Sequence, residues 1–139
     1  MSAPAETELV ASPDVQTLFR AYEEFNLTGE IPVELFDPDV EFVQVEGFAG
    51  TGTNRGIEGV RKVLSGLLAA FESLKMRPRE VLAEHDGEVL VLVVLTALAK
   101  GNRIQVKETM FHLWDMRDGR IHRWQAFAEE APARDALRS

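Results

Sequence analysis

The chain has 139 residues, 45% of them hydrophobic and 27% charged, with 15 Lys plus Arg against 23 Asp plus Glu and a net charge of −8. This describes one globular domain around one core, and the acidic balance excludes a basic surface able to neutralise phosphates, so no nucleic-acid partner is expected. Cysteine is absent, which excludes disulfides, thiolate nucleophiles and Cys-ligated metals.

The opening "MSAPAETELVAS" has neither a basic n-region nor an apolar h-region, so it is not read as a signal peptide. The longest apolar run, 89 to 99, is broken by Thr96 and too short to span a bilayer. A cytoplasmic protein without membrane contact is expected. Residues 1–11 read as a flexible tail, 12–130 as a single α+β domain and 131–139 as a second tail.

"SPDVQTLFRAYEEFNLTG" carries both ends of a helix. Ser12 suits the N-cap, Pro13 the first turn and Asp14 the positive end of the dipole. Val15, Leu18, Phe19, Tyr22 and Phe25 recur at helical spacing, and Gly29 can end the run. Residues 31–36 read as a second short helix, with "DPD" as a turn after it. "VEFVQVE", 40–46, alternates and is rich in strand-forming types. "GFAGTGTNRG" is a glycine-rich loop that lacks a Walker lysine and GxGxxG, so a flap over a pocket mouth is expected rather than a phosphate cradle. Helical spacing returns over 57–73, through Ile57, Val60, Val63, Leu64, Leu67, Leu68 and Phe71. A short strand near 76–84 is followed by strands over 88–99, 103–116 and 120–129. "KGN" and "RDG" supply hairpin turns.

This order, helices and one strand followed by a run of antiparallel strands, places helices on one face of a curved sheet. Side chains alternate across a strand. On 104–116 the even set, Ile104, Val106, Glu108, Met110, His112, Trp114 and Met116, is the more apolar and is expected to face the helices. Glu108 and His112 then share the inner face, roughly 13 Å apart along the strand. On the last strand His122, Trp124, Ala126 and Ala128 form the matching face. On the first, Val40, Phe42, Gln44 and Glu46 do. A small-molecule cavity lined by Tyr22, Gln44, His112 and Trp124 is expected, with Glu108 or Glu46 at its rim. Phe42, Val93, Leu95, Met110 and Ala126 complete the expected substrate-binding wall.

"FRAYEEFNLTGEIPVELFDPDVEFV", "NRGIEGVRKVL" and "HLWDMRDGRIHRWQAF" resemble the nuclear transport factor 2-like superfamily, over roughly residues 13–130. Within it the sequence is most similar to SnoaL-like polyketide cyclases and ketosteroid isomerase relatives. The resemblance implies a cone: a curved antiparallel sheet wrapped around N-terminal helices, with an internal apolar pocket. Tyr22 matches the helix tyrosine that ketosteroid isomerases use as an oxyanion donor. Gln44 stands where they keep an aspartate base, and an amide does not take a proton at neutral pH. His112 falls where they keep a protonated aspartate. Limonene-epoxide-hydrolase relatives place an acid near position 126, which Ala126 lacks. SnoaL-like cyclases place a His and an Asp in the cavity, and His112 matches the first.

His112 is therefore the leading catalytic candidate, because imidazole exchanges protons near neutrality; a hydrogen-bonded core histidine is the plain alternative. Glu108 is a second candidate, as a base with a pKa raised by burial, or else an ion-pair partner of Arg103. Tyr22 is the third, as a hydroxyl facing the cavity or as a satisfied core aromatic. Trp114 reads as core. His85, His112 and His122 lack metal-ligand spacing, so neither metal nor other cofactor is expected. Phe111 and Leu113 fall on the outer sheet face, where exposure would be costly, so a homodimer through that face is expected. The functional expectation is an isomerase or cyclase acting on a small apolar carbonyl compound. The alternatives are a binding protein of the same fold and a dimeric interaction domain.

Overall fold

A computed structural model of the chain describes residues 11–44 and 52–137. Helix α1 spans Pro13–Thr28. Ser12 caps it, its Oγ accepting from the Val15 N–H at 3.2 Å. Gly29 ends it in the left-handed region at φ 78°, donating its N–H to the Phe25 carbonyl. Val15, Leu18, Ala21, Tyr22 and Phe25 form its buried stripe, as the spacing anticipates.

A single 3-10 turn, Val33–Leu35, stands where a short helix was expected. Strand β1 starts at once and runs Phe36–Gln44, so "DPD" lies inside a strand rather than in a turn after a helix. The strand tolerates Pro38 because its pairing is irregular between Phe36 and Glu41, and the Asp37 carboxylate accepts from the Asp39 N–H at 2.8 Å. Part of the expected glycine loop is strand β2, Gly52–Arg55, antiparallel to β1. Helix α2 covers Gly56–Ala70.

Strand β3, Phe71–His85, is far longer than the short strand expected near 76–84. Its alternation is hidden by Lys75, Arg77, Arg79 and Glu80 on an edge strand, and by register shifts around Pro78 and Leu82. Strands β4 (Glu88–Ala99), β5 (Gln105–Arg117) and β6 (Arg120–Phe127) follow. The sheet order is β2-β1-β6-β5-β4-β3. Every neighbouring pair is antiparallel except β1 and β6, which run parallel. The chain is α+β, with a curved, unclosed sheet and α1 and α2 on its inner face.

The core lies between that face and the helices: Val89, Val91, Val93 and Leu95 from β4, Trp114 and Met116 from β5, and Trp124 and Ala126 from β6. Asn26 of α1 anchors the edge strand, donating to the Met76 carbonyl and accepting from its N–H, both at 2.8 Å. A primary amide thereby substitutes for a missing strand neighbour.

Residues 130–136, expected to belong mostly to a tail, form helix α3 (Glu130–Ala136). It packs on the outer face, where Leu90, Phe111, Leu113 and Phe127 meet Ala133. Phe111 is 9% exposed and Leu113 2%, so the chain itself covers the apolar patch on which a homodimer was expected. Nearby, the outer face is ionic: Arg55 and Arg123 approach Glu41 at 2.8 and 3.2 Å.

Candidate functional site

Cross-strand register assembles the site. His112 on β5 pairs with Ala126 on β6, and Ala126 pairs with Gln44 on β1. The next row holds Trp114, Trp124 and Phe42. Both rows face the helices, and Tyr22 of α1 lies above them. The rings form one aromatic box. Phe42 stacks on Trp124 at 4.1 Å, Trp124 on Trp114 at 4.8 Å, and His112 meets the Trp124 edge at 5.1 Å.

Two hydrogen bonds order this box. Trp114 Nε1–H donates to Tyr22 Oη at 2.9 Å, and Tyr22 Oη lies 2.8 Å from His112 Nδ1. An indole N–H only donates, so the Tyr22 oxygen accepts from Trp114. The single Tyr22 proton then has His112 Nδ1 as its acceptor; the opposite tautomer would strand a buried O–H. The chain therefore runs Trp114 to Tyr22 to His112, and His112 carries its proton on Nε2. Electrostatics agree. Burial holds the His112 imidazole down at about 3, neutral across the physiological range. Burial also pushes the Tyr22 hydroxyl well above its ordinary 10, with only partial relief from Trp114.

The other expected residues divide. Gln44, Phe42, Val93, Leu95, Trp124 and Ala126 are buried, and Met110 is half-buried. Glu108 is not part of the buried site. It points to the inner side of β5, but β6 ends opposite Phe111, so Glu108 lies beyond the covered part of the sheet and is exposed. Arg103, weighed as its ion-pair partner, instead holds Glu72 at 2.8 Å. Glu46 lies outside the described residues, as does the first half of the expected flap, 47–51 of 47–56. His122 leaves the inner row because the register slips between Asp115 and Met116, which places Ile121 inside. It lies 3.5 Å from Asp37 instead. Ala128 is exposed past the end of β6. Trp114, read as plain core, is the residue that sequence reasoning missed. Its signal was an inward indole N–H two positions from His112, which needs a buried acceptor.

Beside the box, an apolar cavity of about 20 Å³ between Tyr22, Phe25, Leu64, Met76, Trp114 and Trp124 has room for one water-sized group. Ligand-sized space lies at the next edge. A cleft of about 490 Å³ runs between α2 and the β1–β2 hairpin, lined by Gln44, Asn54, Lys62, Val63, Leu67 and Phe71. Gln44 is the residue of the His112 row that reaches that cleft. Ala126 alone separates it from His112 in the row, across roughly 10 Å of sheet. Among the described residues, no group of three or more His, Cys, Asp or Glu is arranged to hold a metal ion, and no helix is long and apolar enough to cross a membrane.

Sequence comparison agrees with this architecture: residues 15–124 match the SnoaL-like domain. The chain belongs to the SnoaL-like domain family. No curated protein matches it. Solved structures share the SnoaL-like fold. TerC, co-crystallised with polyporic acid, is 24% identical, with a TM-score of 0.71 over 89% of this chain and 97% of TerC. A protein named as a SnoaL-like polyketide cyclase from Jannaschia sp. CCS1 is 20% identical, with a TM-score of 0.69 over 90% and 91% of the two chains. A Catenulispora acidiphila protein of ketosteroid isomerase-like fold, in complex with trimethylamine, is 19% identical, with a TM-score of 0.66 over 85% and 86%.

Proposed function

We propose that the protein is a cofactor-independent enzyme acting on a small, mostly apolar carbonyl compound of polyketide-, steroid- or terpenoid-like type, by isomerisation or aldol-type cyclisation. The observation that carries this reading is the Trp114–Tyr22–His112 chain, which holds a buried neutral imidazole with its proton on Nε2.

A fixed neutral donor in an apolar box is suited to stabilising negative charge as it develops on a carbonyl oxygen. In the proposed step the substrate's α C–H bond breaks and its proton passes to water. The electron pair moves onto the oxygen, which accepts from His112 Nε2–H. The enolate then takes a proton at a different carbon, or its carbon attacks a second carbonyl. Tyr22 does not touch substrate in this scheme, since its hydroxyl is engaged on both sides. Glu108 has no part in it. Membership of the SnoaL-like family supports the reaction class, and TerC, of the same fold, was co-crystallised with polyporic acid.

The second reading is a binding protein of the same fold. It is favoured by the His112 basic nitrogen being occupied by Tyr22, which suits holding an oxygen more than moving a proton. Hydrogen–deuterium exchange at the α carbon separates the two. Under the enzymatic reading, mass spectrometry finds deuterium in at least one of 1-indanone, 2-tetralone and progesterone faster than in buffer, and the gain disappears in His112→Ala. Saturable binding of all three with exchange no faster than buffer refutes it and leaves the binding reading.

A further inference from the structure

Buried polar side-chain atoms normally have partners. Among the described residues four do not: Arg61 Nε, His122 Nδ1, Arg123 Nε and Trp124 Nε1. The first three have a carboxylate close by, Glu30 at 3.9 Å, Asp37 at 3.5 Å and Glu41 at 3.2 Å. Trp124 is different in kind. It is 4% exposed, and its N–H has no acceptor.

Trp114 provides the contrast. The two indoles are cross-strand neighbours, stacked 12° from parallel. Trp114 donates to Tyr22; Trp124 donates to nothing. Nor can Trp124 easily turn to find a partner, because Phe42 covers one face and Trp114 the other. With both faces covered, no ring face remains for a cation. What Trp124 has left to offer a ligand is its N–H, in the same box as His112 and 5.1 Å from it, ring centre to ring centre.

We propose that Trp124 is a second hydrogen-bond donor of this site, its Nε1–H taking an oxygen of the bound molecule together with His112 Nε2–H. The inference rests on the reading that the His112 row receives a carbonyl compound, and it deepens it. Two neutral donors in an apolar box select an acceptor oxygen without a counter-charge: a conjugated ketone, or the enolate or phenolate that resembles its reacting form. They reject ammonium compounds, for which the box supplies no acceptor. Donors preorganised before the ligand arrives stabilise charge on that oxygen without reorganisation.

The test uses 1-indanone and the indole N–H signals in a proton–nitrogen NMR spectrum of the full chain. The protein has two tryptophans, so Trp114→Phe assigns both signals. The expected result is a saturable downfield shift of the Trp124 indole proton. Trp124→Phe, which keeps a stacked ring, should bind 1-indanone roughly tenfold more weakly, the loss expected for one buried hydrogen bond. In isotope-edited infrared spectra, the carbonyl band of the bound ketone should lie higher in that variant than in wild type. If 1-indanone binds and perturbs His112 while the Trp124 signal stays put and Trp124→Phe binds equally well, the inference is wrong and the functional reading stands. If 1-indanone and 2-naphthol both leave every signal of the box unmoved at saturating concentration, both fail. The indole shift is read on wild type, so it decides the matter even where Trp124→Phe folds poorly.

Discussion

Acidification should destabilise this protein through His112 before its carboxylates titrate. In the unfolded chain His112 takes a proton near 6.5; in the fold, burial holds it at about 3. Between those values the unfolded state binds a proton that the native state refuses, so stability falls as pH drops. Each unit of pH costs about 1.4 kcal/mol, which sums to about 3 kcal/mol between pH 7 and pH 4. That is a large part of the roughly 5–15 kcal/mol that stabilises an ordinary domain. The assay is urea unfolding at a series of pH values, in wild type and in His112→Asn, which cannot titrate. Other groups also contribute: Asp37, held below its ordinary value mainly by the Asp39 N–H, loses stabilisation at still lower pH. The difference between the two proteins isolates His112. Wild type should lose about 3 kcal/mol more than the variant over that interval. Parallel losses would refute the claim of a buried, neutral imidazole.

Three further outcomes follow from the same structure. Tyr22→Phe leaves Trp114 Nε1–H and His112 Nδ1 without their partner; unfolding should show a loss of about 1–3 kcal/mol, with altered tryptophan emission. Truncation after Glu129 strips α3 from Leu90, Phe111, Leu113 and Phe127, and sedimentation should show more self-association than the full chain at the same concentration. Gly87→Ala places a methyl 2.7 Å from the Met116 carbonyl oxygen at φ 83°; the melting temperature should fall, by at least the several degrees that about 1 kcal/mol corresponds to in a domain of this size.

Much of the fold was legible because its elements are locally consistent. α1 has a cap, a stripe and a stop in one short segment. β4 is a near-continuous run of Val and Leu bounded by turn signals, as a buried strand is. Where the sequence misleads, tertiary context is the cause. β3 hides its strand character under edge charges, and only pairing to β4 extends it to 15 residues. "DPD" has turn chemistry but is carried into β1 by its parallel partner β6. α3 is a seven-residue helix, too short to show periodicity and stabilised by the patch it covers. The site divides in the same way. Gln44, His112 and Trp124 fall inside by strand parity, and Tyr22 by helical spacing. Glu108 has the same parity and fails, because alternation gives the face of a strand and not where the neighbouring strand ends. The role of Trp114 depends on a contact across 92 residues of chain, which no local pattern encodes.

The most direct measurement is NMR of the protein labelled with nitrogen-15 in histidine, following His112 between pH 7 and pH 4. The expected result is a neutral ring with its proton on Nε2 throughout, and a Nδ1 resonance that moves in Tyr22→Phe and, less, in Trp114→Phe. A ring that protonates near its ordinary value of 6.5, or that carries its proton on Nδ1, would contradict the buried donor on which the proposed chemistry depends.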